Sequence, residues 1–362
     1  MQSIDYKEYF KDVEIIDSHT HLHNHIDPKT GDLFLGGFDP YQKEYNVKAF
    51  NVASLSCKPQ HGVADNIFSA FYKLYSNDIF AHGGFFYSIP EKSLTAPDVL
   101  TQYLELMDLG FDGIKMLEAK PNVYKVHNLP LCGPFYEPFF AQAEKDQVNL
   151  LFHVSDPEDF WDKSKLTKEM IDLGWYYGDG TFVSYSDMYD QIDSILNAHP
   201  DLKATFAHFY FCSKNPEKIE EMFKKYKNVA IDVTPGIEMY DGFKLRPDYY
   251  YEFFRKYSDR ILFGTDGSFP TNTEAYSLLS TCAFHYLATD KIAKSWCGEL
   301  KGINLEKEHL DKIFSKNYIQ RVGDKPREIN KQALKKYIDK YMDFIPTSKQ
   351  KEDVVKLSKR FL

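Results

Sequence analysis

Residues 16–21 read Ile-Asp-Ser-His-Thr-His, an apolar run that ends in two imidazoles. Side chains two apart on a strand point the same way. His19 and His21 would therefore present nitrogens to one point in space, where a borderline cation such as Zn(II) is well served. An H-x-H pair alone is a weak signal, since a lone histidine is more often an ordinary buried polar group. Three further donors strengthen it: His153, His208 and Asp266 each fall at the end of another apolar run, in Leu151 to Val154, Phe206 to Phe209 and Ile261 to Asp266. Two cationic or acidic candidates sit on a fourth run, Gly113 to Ala119, as Lys115 and Glu118. On an extended strand these two face opposite sides. A free ammonium repels a divalent cation, so a free Lys115 binds a substrate carboxylate or serves as a buried structural partner. Lys120, just beyond, reads as solvated. A last candidate is Glu238, in the stretch Asp232 to Tyr240 that joins a turn to acidic and aromatic groups. It is a candidate substrate contact, set against a Pro235-Gly236 turn chosen for backbone geometry alone.

These residues need elements that bring them to one place. Short runs rich in Val, Ile and Phe begin near Glu14, Val47, Ile79, Gly113, Val148, Lys203, Asn228 and Arg260, at intervals of 33, 32, 34, 35, 55, 25 and 32 residues. That interval is about one β-α unit. Segments of helical period lie between them, for example Pro97 to Leu109, Pro134 to Lys145 and Pro216 to Tyr226. Eight near-continuously apolar strands, each followed by a helix, predict a (β/α)8 TIM barrel, with an open doubly wound sheet as the alternative. In a barrel all the donors above fall at the carboxyl ends of strands, the face on which such enzymes place their chemistry. The long interval after strand five holds an extended loop, Ser155 to Tyr185, carrying Trp161, Trp175, Tyr176, Tyr177 and Tyr185. It reads as a lid whose Trp175 and Tyr177 meet the substrate, or equally as a contact surface for another subunit. Past strand eight, helical patterns at Thr273 to Leu287, Leu305 to Val322, Pro326 to Met342 and Lys351 to Phe361 predict the eighth barrel helix and a helical appendage over about 300–362. No Gly/Ser-rich linker divides 1–362, so one domain is expected, with its strands over about 14–266.

Composition narrows the function classes. The chain has 362 residues, a net charge of −9, 43% apolar residues, 29 Phe and 26 Tyr. That is ample material for a core and argues against disorder. A mildly acidic chain lacks the basic stripe that nucleic-acid binding needs. The longest uncharged apolar stretch, Ala275 to Thr289, is 15 residues, short of the roughly 18–20 of a membrane span. Charged residues from Asp5 onward argue against a secretory signal. Five scattered cysteines, at 57, 132, 212, 282 and 297, fit neither a disulfide framework nor a thiolate zinc site and point to the cytoplasm. The expected partner is a small molecule, with a homodimer as an option.

The motifs I-D-S-H-T-H-L (16–22), G-F-D-G-I-K-M-L (110–117), L-F-H-V (151–154), F-A-H-F (206–209) and I-L-F-G-T-D (261–266) resemble, in order, those of the amidohydrolase superfamily. The resemblance is to its amidohydrolase-2 branch of TIM-barrel metal-dependent hydrolases, which includes aminocarboxymuconate semialdehyde decarboxylase-like enzymes. It implies that His19, His21, His153 and Asp266 are metal ligands, that Asp266 also handles a proton, and that His208 holds the attacking water or the substrate. In two-metal members the histidine matching His208 joins the second ion, and a carboxylated lysine or a glutamate on strand four bridges the pair, which here implies a carboxylated Lys115 or Glu118. The match of Asp17 before His19 favours 19 and 21 as ligands and leaves His23 and His25 in the loop beyond. The expected ion is Zn(II), with Mn(II) or Fe(II) as alternatives. The expected activity is metal-assisted hydrolysis of an amide, lactone or ester in a small carboxylate-bearing or cyclic substrate. The alternative is non-oxidative decarboxylation of an aromatic or unsaturated acid at the same metal. A metal-binding barrel without catalysis ranks third, because a candidate for every ligand is intact.

Overall fold

A computed structural model describes residues 4–22, 26–27, 30–33, 42, 45–236, 238–269, 274–295 and 298–362, with the side chains of 268–269, 274–280 and 295 left aside. His23, His25 and Cys297 lie outside the described residues. The expected barrel is present. Its strands are β1 (Ile15–Leu22), β2 (Val47–Ala53), β3 (Ile79–Gly83), β4 (Gly113–Ala119), β5 (Asn149–Val154), β6 (Ala204–Phe206) and β7 (Ala230–Asp232), followed by an eighth strand in two pieces, β8 (Ile261–Leu262) and β9 (Gly267–Phe269). Each pairs in parallel with its chain neighbour, β8 with β7 and β9 with β1, so the sheet returns to its first strand. Strands β1, β3, β4 and β5 are buried along their whole length. That is why they read as unbroken apolar runs rather than alternating ones.

The eighth strand breaks where the chain must close. The backbone N–H of Ser18 donates to Phe263 O at 3.1 Å and that of Asp266 to His19 O at 2.9 Å. Between them the Asp17 carboxylate accepts from Thr265 N at 3.1 Å and Thr265 Oγ1 at 2.6 Å. Gly264 makes this approach feasible, because a side chain there would collide with Thr234 Oγ1 and come within 2.9 Å of His19 Cβ. Closure thus delivers residue 266 to residue 19.

Helices cover the outside. The helix Val99–Leu109 begins on Asp98, whose carboxylate accepts from Thr101 N, and stops at Gly110 with φ +96°, a start and stop chemistry visible in the sequence. The C-terminal helices are integral to the barrel. Lys331–Tyr341 packs on Val99–Leu109 and on Gly62–Tyr75, and Ser348–Phe361 packs on Gly62–Tyr75. The helix Asn317–Arg321 closes the floor. Tyr318 packs against Ile16, Ala49, Phe80, Ala230 and Leu262 inside the barrel. Beside it the Arg321 guanidinium donates to Asn149 Oδ1, Thr205 Oγ1, Ala204 O and Asn228 O at 2.9–3.1 Å. A short antiparallel hairpin, β10 (Ile292–Ser295) and β11 (Gly298–Lys301), was not expected. Four-residue strands carry too few alternations to stand out.

Arg321→Ala should remove four hydrogen bonds to buried acceptors. We expect a loss of about 2–4 kcal/mol of unfolding free energy, read from the urea midpoint, with little change in metal content because the floor lies opposite the candidate ligands.

Candidate metal centre

The carboxyl ends of β1, β6 and the broken eighth strand bring His19, His208 and Asp266 together, with one ligand atom from each within 4.8 Å of the others. His21 reaches the same carboxylate, its Nε2 3.2 Å from Asp266 Oδ1, while its Nδ1 faces Ala53 O at 2.7 Å. His153 stands beside this group. Its ring lies 4.8 Å from that of His208, and its Nε2 faces Asp156 Oδ1 at 3.5 Å and Lys120 Nζ at 3.4 Å. Burial, aided by the fields of neighbouring lysines, holds the imidazoles of His19, His153 and His208 below their ordinary range, hence neutral and able to lend a lone pair. Burial acts to raise Asp266, but the hydrogen bond from His21 and the surrounding imidazoles outweigh it and hold the carboxyl well below the usual range. Two or more neutral nitrogens around one ionised oxygen form a donor set that a divalent cation of the zinc type fits.

The orientation of these groups depends on Asp232, at the end of β7. Its Oδ2 lies 2.9 Å from His19 Nδ1, which leaves Nε2 of that ring to face the centre. Its Oδ1 accepts from the backbone of His208 at 2.8 Å and of Thr234 at 3.1 Å. His208 opens a left-handed turn in which four successive non-glycine residues, 208 to 211, have φ of 57°, 53°, 56° and 49°. Asp266, at φ 54°, is also left-handed. Each such residue costs of order 1 kcal/mol, and their concentration at the donor groups marks a site where geometry outranks backbone ease.

Residues 16–317 match the amidohydrolase family model. The chain belongs to the amidohydrolase family. No curated protein matches it in sequence. Solved structures do share its fold. A 2,6-dihydroxybenzoate decarboxylase from Rhizobium aligns with TM-score 0.52 and 13% identity over 86% of this chain and 98% of its own. A 5-carboxyvanillate decarboxylase from Sphingomonas paucimobilis aligns with TM-score 0.50 and 12% identity over 86% and 99%. A dihydroxybenzoic acid decarboxylase from a Polaromonas species, with bound manganese and the inhibitor 2-nitroresorcinol, aligns with TM-score 0.50 and 13% identity over 86% and 97%.

Around the amidohydrolase centre the remaining candidates take distinct places. Lys115 is buried with its Nζ 2.9 Å from His19 Nε2. Glu118 turns the other way, accepting from Tyr87 Oη at 3.0 Å. Lys120 is not the solvated side chain expected: its Nζ pairs with Asp156 Oδ1 at 2.5 Å, because β4 ends at Ala119 and the next residue turns across to the loop after β5. Asp156 was missed by sequence reading, although its place three residues after His153 was the available signal. It also accepts from Tyr177 Oη at 2.8 Å. Tyr177 therefore touches the site through Asp156. Trp175 stacks on Phe160, with centroids 5.5 Å apart, inside a cluster that includes Trp161, Tyr177 and Phe182. The segment 155–185 thus has a small aromatic core of its own. Lys58, from the loop after β2, is half-buried without an ion-pair partner among the described residues and lies in the fields of Lys120 and Asp266. Glu238 lies near His208: a side chain at residue 236 would meet Glu238 Oε2 at 3.3 Å and His208 Cβ at 3.5 Å.

Asp232→Asn should keep the fold but weaken the hold on the His19 ring. We expect metal affinity to fall about 10–100-fold, measured by competition with a calibrated chelator. Unchanged affinity would show that Asp232 serves only the backbone turn.

Proposed function

We propose that this amidohydrolase is a metal-dependent hydrolase that opens an amide, lactone or ester in a small cyclic or carboxylate-bearing substrate. The supporting observation is the meeting of neutral imidazoles and an ionised, part-exposed carboxylate at one strand-end cluster. His19, His21, His153 and Asp266 would hold a divalent ion, which would supply carbonyl polarisation and an activated water at neutral pH. Zn(II) suits the nitrogen-rich set best, with Mn(II) and Fe(II) also accommodated. Asp266, ionised and 32% exposed at its side chain, accepts the proton released on attack and returns it to the leaving group. His208 has its Nδ1 turned to Thr234 O at 3.3 Å, which leaves Nε2 to orient and polarise the reacting carbonyl. Lys115 holds a substrate carboxylate, and the segment 155–185 is the lid that excludes water. The chain is expected to work in the cytoplasm on a small molecule, without nucleic acid or membrane; no described helix is long and apolar enough to cross one.

A second reading, decarboxylation of an aromatic or unsaturated acid, is favoured by the lysines at 58, 115 and 120 around the centre and by the activities named for the three structures that share its fold. In it an ion at the same ligands would hold the carboxylate or phenolate, and Asp266 would manage the proton.

Two experiments follow. Turnover of a panel of lactones, amides and hydroxylated benzoic acids in oxygen-18 water should place one label in the product acid; carbon dioxide released without label in the remaining product establishes the lyase reading instead. In parallel, His153→Ala should lose the metal, while His208→Ala should keep it and lose turnover by about 100-fold or more. Elemental analysis showing the reverse would exchange the two roles.

A further inference from the structure

Behind the left-handed turn lies a cavity of about 50 Å³, lined among others by Phe211, Cys212, Lys214, Lys218, Tyr185 and Glu238. Both carboxylate oxygens of Glu238 are buried, and among the described residues neither has a hydrogen-bond partner beyond the residue's own backbone N–H. This is costly, because a buried acceptor normally finds a donor and an unsatisfied one forfeits its hydration. The two cations in the cavity wall are engaged elsewhere. Lys214 pairs with Asp159 at 2.6 Å, and Lys218 lies over the rings of Tyr185 and Tyr189 at 5.5 and 5.7 Å. The remaining nearby charges, Asp156 and Asp159, are acidic and add repulsion. Burial, with that field, pushes the Glu238 carboxyl up to about 7. The fold does not need this carboxylate for any contact it makes, yet it places it one side chain's reach from His208.

We infer that Glu238 is a specificity-determining residue that receives a hydrogen-bond donor of the substrate, an amino or hydroxyl group, in the cavity behind the turn that His208 opens. This rests on the reading of a carboxylate-bearing substrate, and it adds a second recognition point on the β7 side of the centre, across from the lysines after β2 and β4. Size limits the guest. Water occupies about 30 Å³, so the cavity admits one small polar group and excludes a ring. A site built to pair with such a group discriminates strongly against an analogue lacking it, since the pocket's own polar atoms are then left bare.

The test has two arms, both on the metal-loaded full chain. In the first, thermal unfolding is compared for the native protein, Glu238→Gln and Glu238→Leu without added ligand. A carboxylate kept for a ligand is dispensable to the fold, so both variants should melt about 1–3 °C higher. A lower midpoint in Glu238→Gln would show a structural role and overturn the inference. In the second, benzoate and its 2-, 3- and 4-amino and hydroxy derivatives are titrated by calorimetry. At least one donor-bearing member should bind 10-fold or more tighter than benzoate, with that preference lost in Glu238→Leu. A preference that survives in the leucine variant overturns the inference. If none of the acids binds, the carboxylate-substrate reading fails by itself, and the melting arm still decides the place of Glu238.

Discussion

The centre depends on one carboxylate that need not touch a metal. Asp232 spends one oxygen on the ring of His19 and the other on the backbone at His208 and Thr234. Burial raises its carboxyl above the ordinary range, and the backbone N–H of His208 and the field of Lys115 offset that only in part. Each of those opposing groups belongs to the centre, so the charge of Asp232 is stabilised only when the site is assembled. Conversely, the four-residue left-handed turn has no glycine to ease it and persists because its first N–H is captured by this carboxylate. A cation on the other nitrogen of His19 would strengthen the same hydrogen bond, because ligation makes the imidazole N–H a better donor. Ring orientation, backbone strain and ligand basicity are thus three consequences of one side chain.

Barrel closure supplies the other half of the geometry. A continuous eighth strand would pair regularly with β1 and point residue 266 by simple alternation. The break between β8 and β9 instead lets Asp17 enter as a side-chain rung through Thr265, while Asp266 takes a left-handed conformation with its N–H on His19 O. Asp266 is therefore fixed by the contact that seals the sheet. Asp17 is itself fully buried, and burial pushes its carboxyl up to about 7 despite its bonds to Thr265 and His19. The seam is held by hydrogen bonds rather than by charge alone.

The β-α interval and the donors at strand ends were legible because both are local. Parallel strands buried on two faces spell apolar runs, and the strands begin within two residues of the places expected. What the pattern could not carry was pairing across the barrel. Asp232 lies 213 residues from His19, and Arg321 lies 172 from Asn149. No spacing rule links such partners before the sheet order is known. The turn at His208–Phe211 was invisible for a different reason, since His-Phe-Tyr-Phe has none of the glycine or asparagine that normally announces positive φ. Lys120 was misread because its strand ends one residue earlier, and a lysine beyond a strand looks solvated until its acidic partner on the next loop is seen.

Lys115 ties the metal question to the substrate question. Its Nζ lies 2.9 Å from His19 Nε2, the nitrogen Asp232 leaves free. A protonated amine and a divalent cation compete for that lone pair and repel each other. Burial lowers this lysine to about 8 against the opposing fields of Asp232 and Asp266, so it gives up a proton, or moves toward a new anion, far more readily than a surface lysine. On the proposed reading, a substrate carboxylate arriving beside the centre would offer the ammonium a partner away from His19. The substrate's anionic end and a cation at the candidate ligands would then favour one another, each relieving a repulsion that the other would otherwise meet.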